Sequence, residues 1–170
     1  MSVWRRRALE SFPELRRELN DRQEIPSPYT LWFELLARWR DARTSGNDDM
    51  LDRIYRYAEW CSRQRAADLW NSVGVCFYEH VLDYGSWETV LPRLSDETIW
   101  NVWGLWEDRL SATDVASLRK VLEQQGRSVP PPGTGLVEPA EARASTPVAT
   151  RRSRSRSPRR GTRPRRDQRP

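Results

Sequence analysis

Ten arginines lie close together near the end of the chain. They are interleaved with serine in "RRSRSRSPRR", which begins at residue 151, and they continue to residue 169. A guanidinium group binds phosphate in bidentate geometry and stacks on nucleobases. The stretch therefore predicts binding to nucleic acid or another polyanion, without sequence specificity. The candidate contacts are Arg151, Arg152, Arg154, Arg156, Arg159, Arg160, Arg163, Arg165, Arg166 and Arg169.

Three serines of this stretch, Ser153, Ser155 and Ser157, are candidate phosphorylation sites. Each phosphate would add a charge of about −1.5 to −2 and oppose the binding of a polyanion. A solvated tail without a dedicated partner, or a tail that contacts a protein, remains the alternative.

Residue types that catalyse reactions are sparse. Glu79 and His80 are adjacent, and neighbouring helical side chains point about 100° apart. His80 and Asp83 are three residues apart and could touch, but no nucleophile or glycine-rich phosphate loop accompanies them. Cys61 and Cys76 lack the spacing of a disulfide framework or a zinc site. We therefore predict a structural His80, no catalytic activity, and no metal or cofactor.

The nine tryptophans of the chain are the other unusual feature. Trp100, Trp103 and Trp106 recur every third residue, so their directions on a helix drift by about 60° at each step. Together with Ile99 and Leu110 they form one broad apolar face. Core packing is the favoured interpretation. An exposed aromatic patch that binds a partner is the alternative, with Trp100 as its most exposed member.

The candidate residues outside the arginine-rich stretch lie in segments with helical patterns. Apolar side chains recur at steps of three and four, and alternating strand patterns are absent. Within the segment 66–84 apolar residues occupy two sides, which predicts a central helix. The pattern as a whole predicts an all-α fold, a compact bundle of about six or seven helices. The predicted helix caps are Ser2, Ser27, Asn47, Ser95 and Ser111.

The character of the chain changes after Gly126. Residues 1–126 contain 17 basic and 21 acidic residues, a net charge of −4, whereas residues 127–170 contain 12 arginines and three acidic residues, a net charge of +9. The second region is rich in proline, serine and threonine and poor in large apolar side chains. We therefore predict a helical domain over 1–126 and a disordered linker and tail over 127–170.

The sequence lacks a secretory signal pattern and a long apolar run. A cytoplasmic protein without a membrane partner is expected.

Three stretches carry a resemblance to a known group of proteins: "IYRYAEWCSRQ", "DLWNSVGVCFYEHVLD" and "VLPRLSDETIWNVWGLWEDRL". They resemble an uncharacterised family of small all-helical bacterial proteins, over about residues 10–124 and most strongly over Ile54–Leu110. The resemblance implies a compact helical body. Proteins of this kind are considered candidates for partner-binding or immunity-type roles in toxin systems. The arginine-rich tail is not part of the family pattern.

A second, shorter resemblance combines "FYEHVLDYGSWETVLPRL" with the later "RRSRSRSPRR". This layout is similar to that of the core (capsid) proteins of hepatitis-B-like viruses, which have a helical assembly domain and a genome-binding arginine–serine tail. The resemblance implies a hairpin of the helices Asn47–Arg63 and Ala66–Tyr84.

Two functional hypotheses follow. The first is a non-enzymatic helical module that binds an unknown protein partner and carries a polyanion-binding tail. The alternative is a capsid subunit that self-assembles through its helices and packages a genome with its tail. Self-association is compatible with both.

Overall fold

The computed structural model describes residues 1–21 and 23–131 of the chain. In these two ranges the chain folds into α-helices joined by short turns, without a β-strand. The predicted all-α class is therefore confirmed. The α-helices are α1 (Val3–Ser11), α2 (Arg16–Asn20), α3 (Pro28–Ser45), α4 (Asp48–Ser62), α5 (Ala67–Val73), α6 (Val81–Tyr84), α7 (Trp87–Val90), α8 (Asp96–Arg109) and α9 (Ala112–Gln124).

Four of the five predicted capping side chains make the expected hydrogen bond, whereas the side chain of Ser2, at the start of α1, makes none. The side chain of Ser27 accepts a hydrogen bond from the backbone N–H of Thr30, which satisfies one of the donors that the first turn of α3 leaves unpaired. Equivalent side-chain caps begin α4, α8 and α9, at Asn47, Ser95 and Ser111. At its other end α3 stops at Gly46, whose φ of 68° lies in the left-handed region that glycine tolerates best.

The predicted central helix over 66–84 is not one regular helix. Helices α5 and α6 are separated by a π-helical segment, Gly74–Tyr78, in which the Glu79 N–H donates to the Gly74 carbonyl oxygen at 2.9 Å. This wider turn shifts the phase of the side chains that follow it. The sequence pattern predicts apolar residues on two sides of the segment but cannot predict the extra residue in the turn.

Phe77, in the π-helical segment, lies at the centre of an aromatic core. Its ring centroid is 5.2 Å from that of Trp32, 5.8 Å from Trp39, 5.5 Å from Tyr55 and 5.3 Å from Tyr78. Such edge-on and offset contacts add to the free energy of burial. The segment 74–78 therefore joins α3 and α4 to the rest of the core.

The packed chain extends past the boundary predicted at Gly126. Arg127 donates to the carbonyl oxygens of Leu91 and Leu94 at 2.8 and 2.7 Å and to the Asp96 carboxylate at 2.7 Å. Pro130 is buried, and its carbonyl oxygen accepts a hydrogen bond from Arg119 at 2.8 Å. The sequence pattern missed this extension because hydrogen bonds of Arg127 and Arg119 and a short contact of Val129 and Pro130 attach it to the body, without an apolar stripe.

Candidate functional site

The three predicted tryptophans occupy different environments. Trp103 and Trp106 are buried, with 0% and 1% of their surface exposed. The indole N–H of Trp106 donates to the Tyr78 carbonyl oxygen at 2.8 Å, and the guanidinium of Arg119 lies 4.9 Å from the ring centroid of Trp103. Trp100 is partly exposed. The favoured prediction of core packing therefore agrees with the burial of Trp103 and Trp106, and the alternative of an exposed patch is wrong for these two residues.

All of the predicted polyanion contacts lie outside the described residues, as do the candidate phosphorylation sites Ser153, Ser155 and Ser157. The arginines concerned are Arg151, Arg152, Arg154, Arg156, Arg159, Arg160, Arg163, Arg165, Arg166 and Arg169.

His80 belongs to an ionic network on the surface. Its Nδ1 lies 3.0 Å from an Asp83 carboxylate oxygen. Arg109 of α8 reaches the same carboxylate at 2.7 Å and the Glu79 carboxylate at 2.8 Å. The hydrogen bond from Arg109 to Glu79 is the main reason that the pKa of Arg109 is raised, so the guanidinium stays charged. The network joins α6 to α8 and includes no nucleophilic side chain.

The two cysteines are buried free thiols. Burial raises the pKa of Cys61 to about 12. Burial also raises the pKa of Cys76, and the nearby Glu79 carboxylate adds to this rise. Because the thiolate is the reactive form, neither side chain is prepared to act as a nucleophile at neutral pH.

An exposed aromatic surface, which sequence reasoning missed, lies along α3. It consists of Tyr29, Phe33, Leu36 and Arg40 of α3 together with Tyr84 of α6, and we call it the α3 face. Phe33 is 63% exposed and Tyr84 is 45% exposed, whereas Tyr29 and Leu36 are partly exposed. The signal was present in the sequence, because Phe33 lies about 200° around the helix from the buried Leu31.

Contacts between elements hold the two ends of the α3 face. The Tyr29 hydroxyl accepts a hydrogen bond from the Asn71 amide at 2.7 Å, which joins α3 to α5. At the other end the guanidinium of Arg40 lies 4.3 Å from the Tyr84 ring centroid, and Arg43 donates to the Tyr84 carbonyl oxygen. These contacts hold Tyr29 and Tyr84 in place at the two ends of the α3 face.

A pocket of about 370 Å³ lies between the end of α3, the start of α4 and α7. Its apolar wall is formed by Trp39, Leu51, Tyr55 and Pro92. Its charged lining residues are Arg43, Asp48, Glu88 and Arg93. Because the pocket forms only where the distant helix α7 packs against the turn between α3 and α4, no local pattern predicts it.

Two polar groups of the pocket, the Tyr55 hydroxyl and the Trp39 indole N–H, belong to side chains that are buried from solvent. Burial raises the pKa of Tyr55 to about 12, although Trp39 and the guanidinium groups of Arg93 and Arg43 are close enough to oppose that rise. Tyr55 is therefore a neutral hydroxyl at physiological pH. The indole N–H of Trp39 is buried and makes no hydrogen bond of acceptable geometry within the described part of the chain.

Arg93 separates this pocket from a second, shallower one that also borders Tyr55 and Pro92. Its guanidinium contacts the carboxylates of Asp48, at 2.6 Å, and Asp52. The charge of Arg93 is thus balanced by α4. Arg43, by contrast, has no carboxylate within ion-pair distance among the described residues.

Residues 1–21 and 23–131 contain no cluster of histidine, cysteine and carboxylate side chains that could hold a metal ion. Over the same ranges, no helix is both long enough and apolar enough to span a bilayer.

Comparison with known proteins gives one match. The model of a family described as "Domain of unknown function (DUF7674)" matches residues 5–103. Neither the curated proteins nor the solved structures include a significant match. The matched segment ends within α8, and the comparisons give no support to the resemblance to hepatitis-B-like core proteins.

Proposed function

We propose that this chain, which belongs to the DUF7674 family, a domain of unknown function, is a non-enzymatic interaction protein. Its helical body binds a protein partner through the α3 face. Its arginine-rich C-terminal segment binds nucleic acid or another polyanion, and the cytoplasm is its proposed location.

The α3 face is the observation that carries this proposal. Phe33 is the most exposed aromatic side chain among the described residues, and it lies about one helical turn from Tyr29 and from Leu36. Tyrosine, phenylalanine and arginine are enriched at the centres of protein interfaces, where aromatic side chains bury a large area at low entropic cost. Exposed apolar side chains that adjoin along a fixed surface favour a partner-binding role over chance exposure.

The separation of charge supports the second part of the proposal. The net charge of +9 in residues 127–170 contrasts with −4 in residues 1–126. Each phosphate that an arginine neutralises releases a counterion, which makes binding strongly dependent on salt. The acidic body does not compete for the polyanion, so the basic segment is expected to supply most of this affinity.

The chemistry of the body favours a binding role over catalysis. His80 and Asp83 are engaged with Arg109, and the thiols of Cys61 and Cys76 are buried and protonated. A general base near a free nucleophile would be needed for acyl or phosphoryl transfer.

Quantitative mass spectrometry of co-purifying proteins tests the α3 face. Phe33→Glu places a charge in the middle of the face, and Lys120→Glu makes an exposed charge change elsewhere. The proposal expects proteins that are retained by wild type and Lys120→Glu and lost from Phe33→Glu. Identical retention by all three proteins would contradict it.

Binding of labelled single-stranded DNA at two salt concentrations tests the basic segment. The full chain is compared with a chain that ends at Pro131, which keeps the packed contacts of Arg127 and Pro130. The proposal expects tight binding only by the full chain, with affinity falling steeply as salt rises. Equal binding by both chains would contradict a polyanion role for the segment.

The capsid alternative is distinguished by particle mass. Light scattering after size-exclusion chromatography is expected to give a monomer or small oligomer. Particles of megadalton mass would contradict the proposed interaction module and would support a shell-forming protein.

A further inference from the structure

The pocket between α3, α4 and α7 contains hydrogen-bond donors without acceptors. The Trp39 side chain is fully buried beside Tyr55, but its indole N–H makes no hydrogen bond of acceptable geometry within the described ranges. Other buried indole N–H groups of the described residues also lack a partner, at Trp32, Trp70 and Trp103, but Trp39 differs from them because it lines this pocket. The Tyr55 hydroxyl, which lines the same pocket, can donate as well.

Arg43 adds a positive charge at this position. Its guanidinium stacks on Trp39 at 4.9 Å from the ring centroid, and one of its amino groups donates to the Tyr84 carbonyl oxygen. Within the described residues its Nε and second amino group make no hydrogen bond or ion pair. The Tyr84 contact fixes the planar group, which leaves donors in a geometry suited to a carboxylate.

The rest of the lining limits the kind of anion. Arg93 is already paired with Asp48 and Asp52, so it provides little net positive charge. Glu88 also lines the pocket, and hydrogen bonds from its own backbone and from Ser86 lower its pKa, so it stays ionised. The acidic side chains repel a dianion such as phosphate more strongly than a monoanion, so the single unpaired guanidinium of Arg43 is better matched to a monoanion.

We propose that this pocket binds a small organic monoanion whose carboxylate contacts Arg43 and Tyr55, next to the buried indole of Trp39. The apolar part of the ligand lies against Leu51 and Pro92. A volume of about 370 Å³ is at the lower end of the range for small-molecule sites. None of the lining residues belongs to the α3 face, so the proposal stands independently of the proposed function.

The test uses the full-length protein and 2-naphthoate as the probe. Nitrogen–proton correlation spectra report the indole N–H signal of Trp39 directly, with Trp39→Phe used to assign it. Titration with 2-naphthoate is expected to shift this signal saturably. The neutral analogue 2-naphthamide has nearly the same shape but no charge, and it is expected to bind at least about tenfold more weakly. Inorganic phosphate is expected to produce no saturable shift.

Matched variants assign the contacts. Arg43→Gln is expected to weaken 2-naphthoate binding about tenfold, whereas Arg6→Gln, a change to an exposed arginine of α1 outside the pocket, leaves it unchanged. Tyr55→Phe removes one hydroxyl, keeps the ring, and is expected to weaken binding severalfold. It therefore provides an independent result if Arg43→Gln lowers the stability of the fold.

The proposal would be overturned if the Trp39 signal did not shift at about 10 mM 2-naphthoate, a concentration at which weak ligands are still detected. Equal binding of 2-naphthoate and 2-naphthamide would also overturn it. So would unchanged binding in both Arg43→Gln and Tyr55→Phe. Binding of phosphate as tightly as 2-naphthoate would overturn the choice of a monoanion with an apolar body.

Discussion

The guanidinium carbon of Arg40 lies 4.3 Å from the ring centroid of Tyr84. This contact joins the last turns of α3 to the end of α6 and extends the α3 face beyond a single helix. Both residues are exposed, so the contact is a surface cation–π interaction. Interactions of this type stabilise exposed sites by only about 0.5–1 kcal/mol. The contact therefore adds little to the free energy of unfolding, and its main effect is to hold Tyr84 beside α3.

Replacement of Arg40 by alanine should therefore lower the free energy of unfolding only slightly. We expect a loss of no more than about 1 kcal/mol, measured by urea denaturation monitored by far-ultraviolet circular dichroism. A loss of several kcal/mol would mean that Arg40 supports the core and is not mainly a surface residue.

The tryptophans of α8 should differ sharply in their contribution to stability. Trp103 is fully buried, so Trp103→Ala is expected to cost about 3–5 kcal/mol through lost burial and a cavity. Trp100 is partly exposed, and Trp100→Ala should cost less than about 1.5 kcal/mol. The midpoint of urea unfolding measures both. Similar losses for the two variants would contradict the assigned burial.

Arg127 should behave as a residue of the folded body. Its side chain donates to two carbonyl oxygens and a carboxylate, so Arg127→Ala is expected to destabilise the protein by about 2 kcal/mol or more. Arg143→Ala, a matched change farther along the chain, is expected to leave the unfolding midpoint unchanged. Equal effects of the two variants would place the end of the packed body near Gly126.

Stability should fall in alkaline solution. Burial raises the pKa of Cys61 from 9.0 to about 12, and it also raises the pKa of Tyr55 and Tyr57. Above pH 9 the unfolded chain releases the Cys61 proton that the folded chain retains, so raising the pH favours unfolding. This contribution is fully present below pH 9 and is lost between pH 9 and about 12.

Urea unfolding at several pH values between 9 and 11 measures this effect. Each unit of pH in that range should cost about 1.4 kcal/mol for the Cys61 proton alone, and Cys61→Ala should show a correspondingly shallower decline. The same slope in wild type and Cys61→Ala would show that the thiol does not contribute.

The local features of the fold were predictable from the sequence, and the features that depend on distant contacts were not. The caps at Ser27 and Ser95 and the stop at Gly46 were readable because they depend on a few consecutive residues. The π-helical segment was not, because the hydrogen bond from Glu79 to Gly74 is favoured by the packing of Phe77 between other elements.

The candidate sites follow the same division. The apolar period of α8 correctly favoured core packing for Trp103 and Trp106, but the hydrogen bond from Trp106 to the Tyr78 carbonyl oxygen depends on a distant contact that no local pattern predicts. The pocket needs Arg43, Tyr55 and Glu88, which meet only when α3, α4 and α7 pack together. Phe33 is the exception, since its position opposite the buried stripe of α3 was readable from helical geometry.

Photo-crosslinking from position 33 tests the central claim most directly. A benzophenone side chain replaces Phe33 in one protein and Lys120, an exposed residue of α9, in a control protein. After irradiation in the cells that produce the protein, discrete heavier adducts are expected from position 33 and not from position 120. An adduct of twice the chain's mass would identify a second copy as the partner. Absence of adducts at position 33, or the same adducts at both positions, would contradict partner binding through the α3 face.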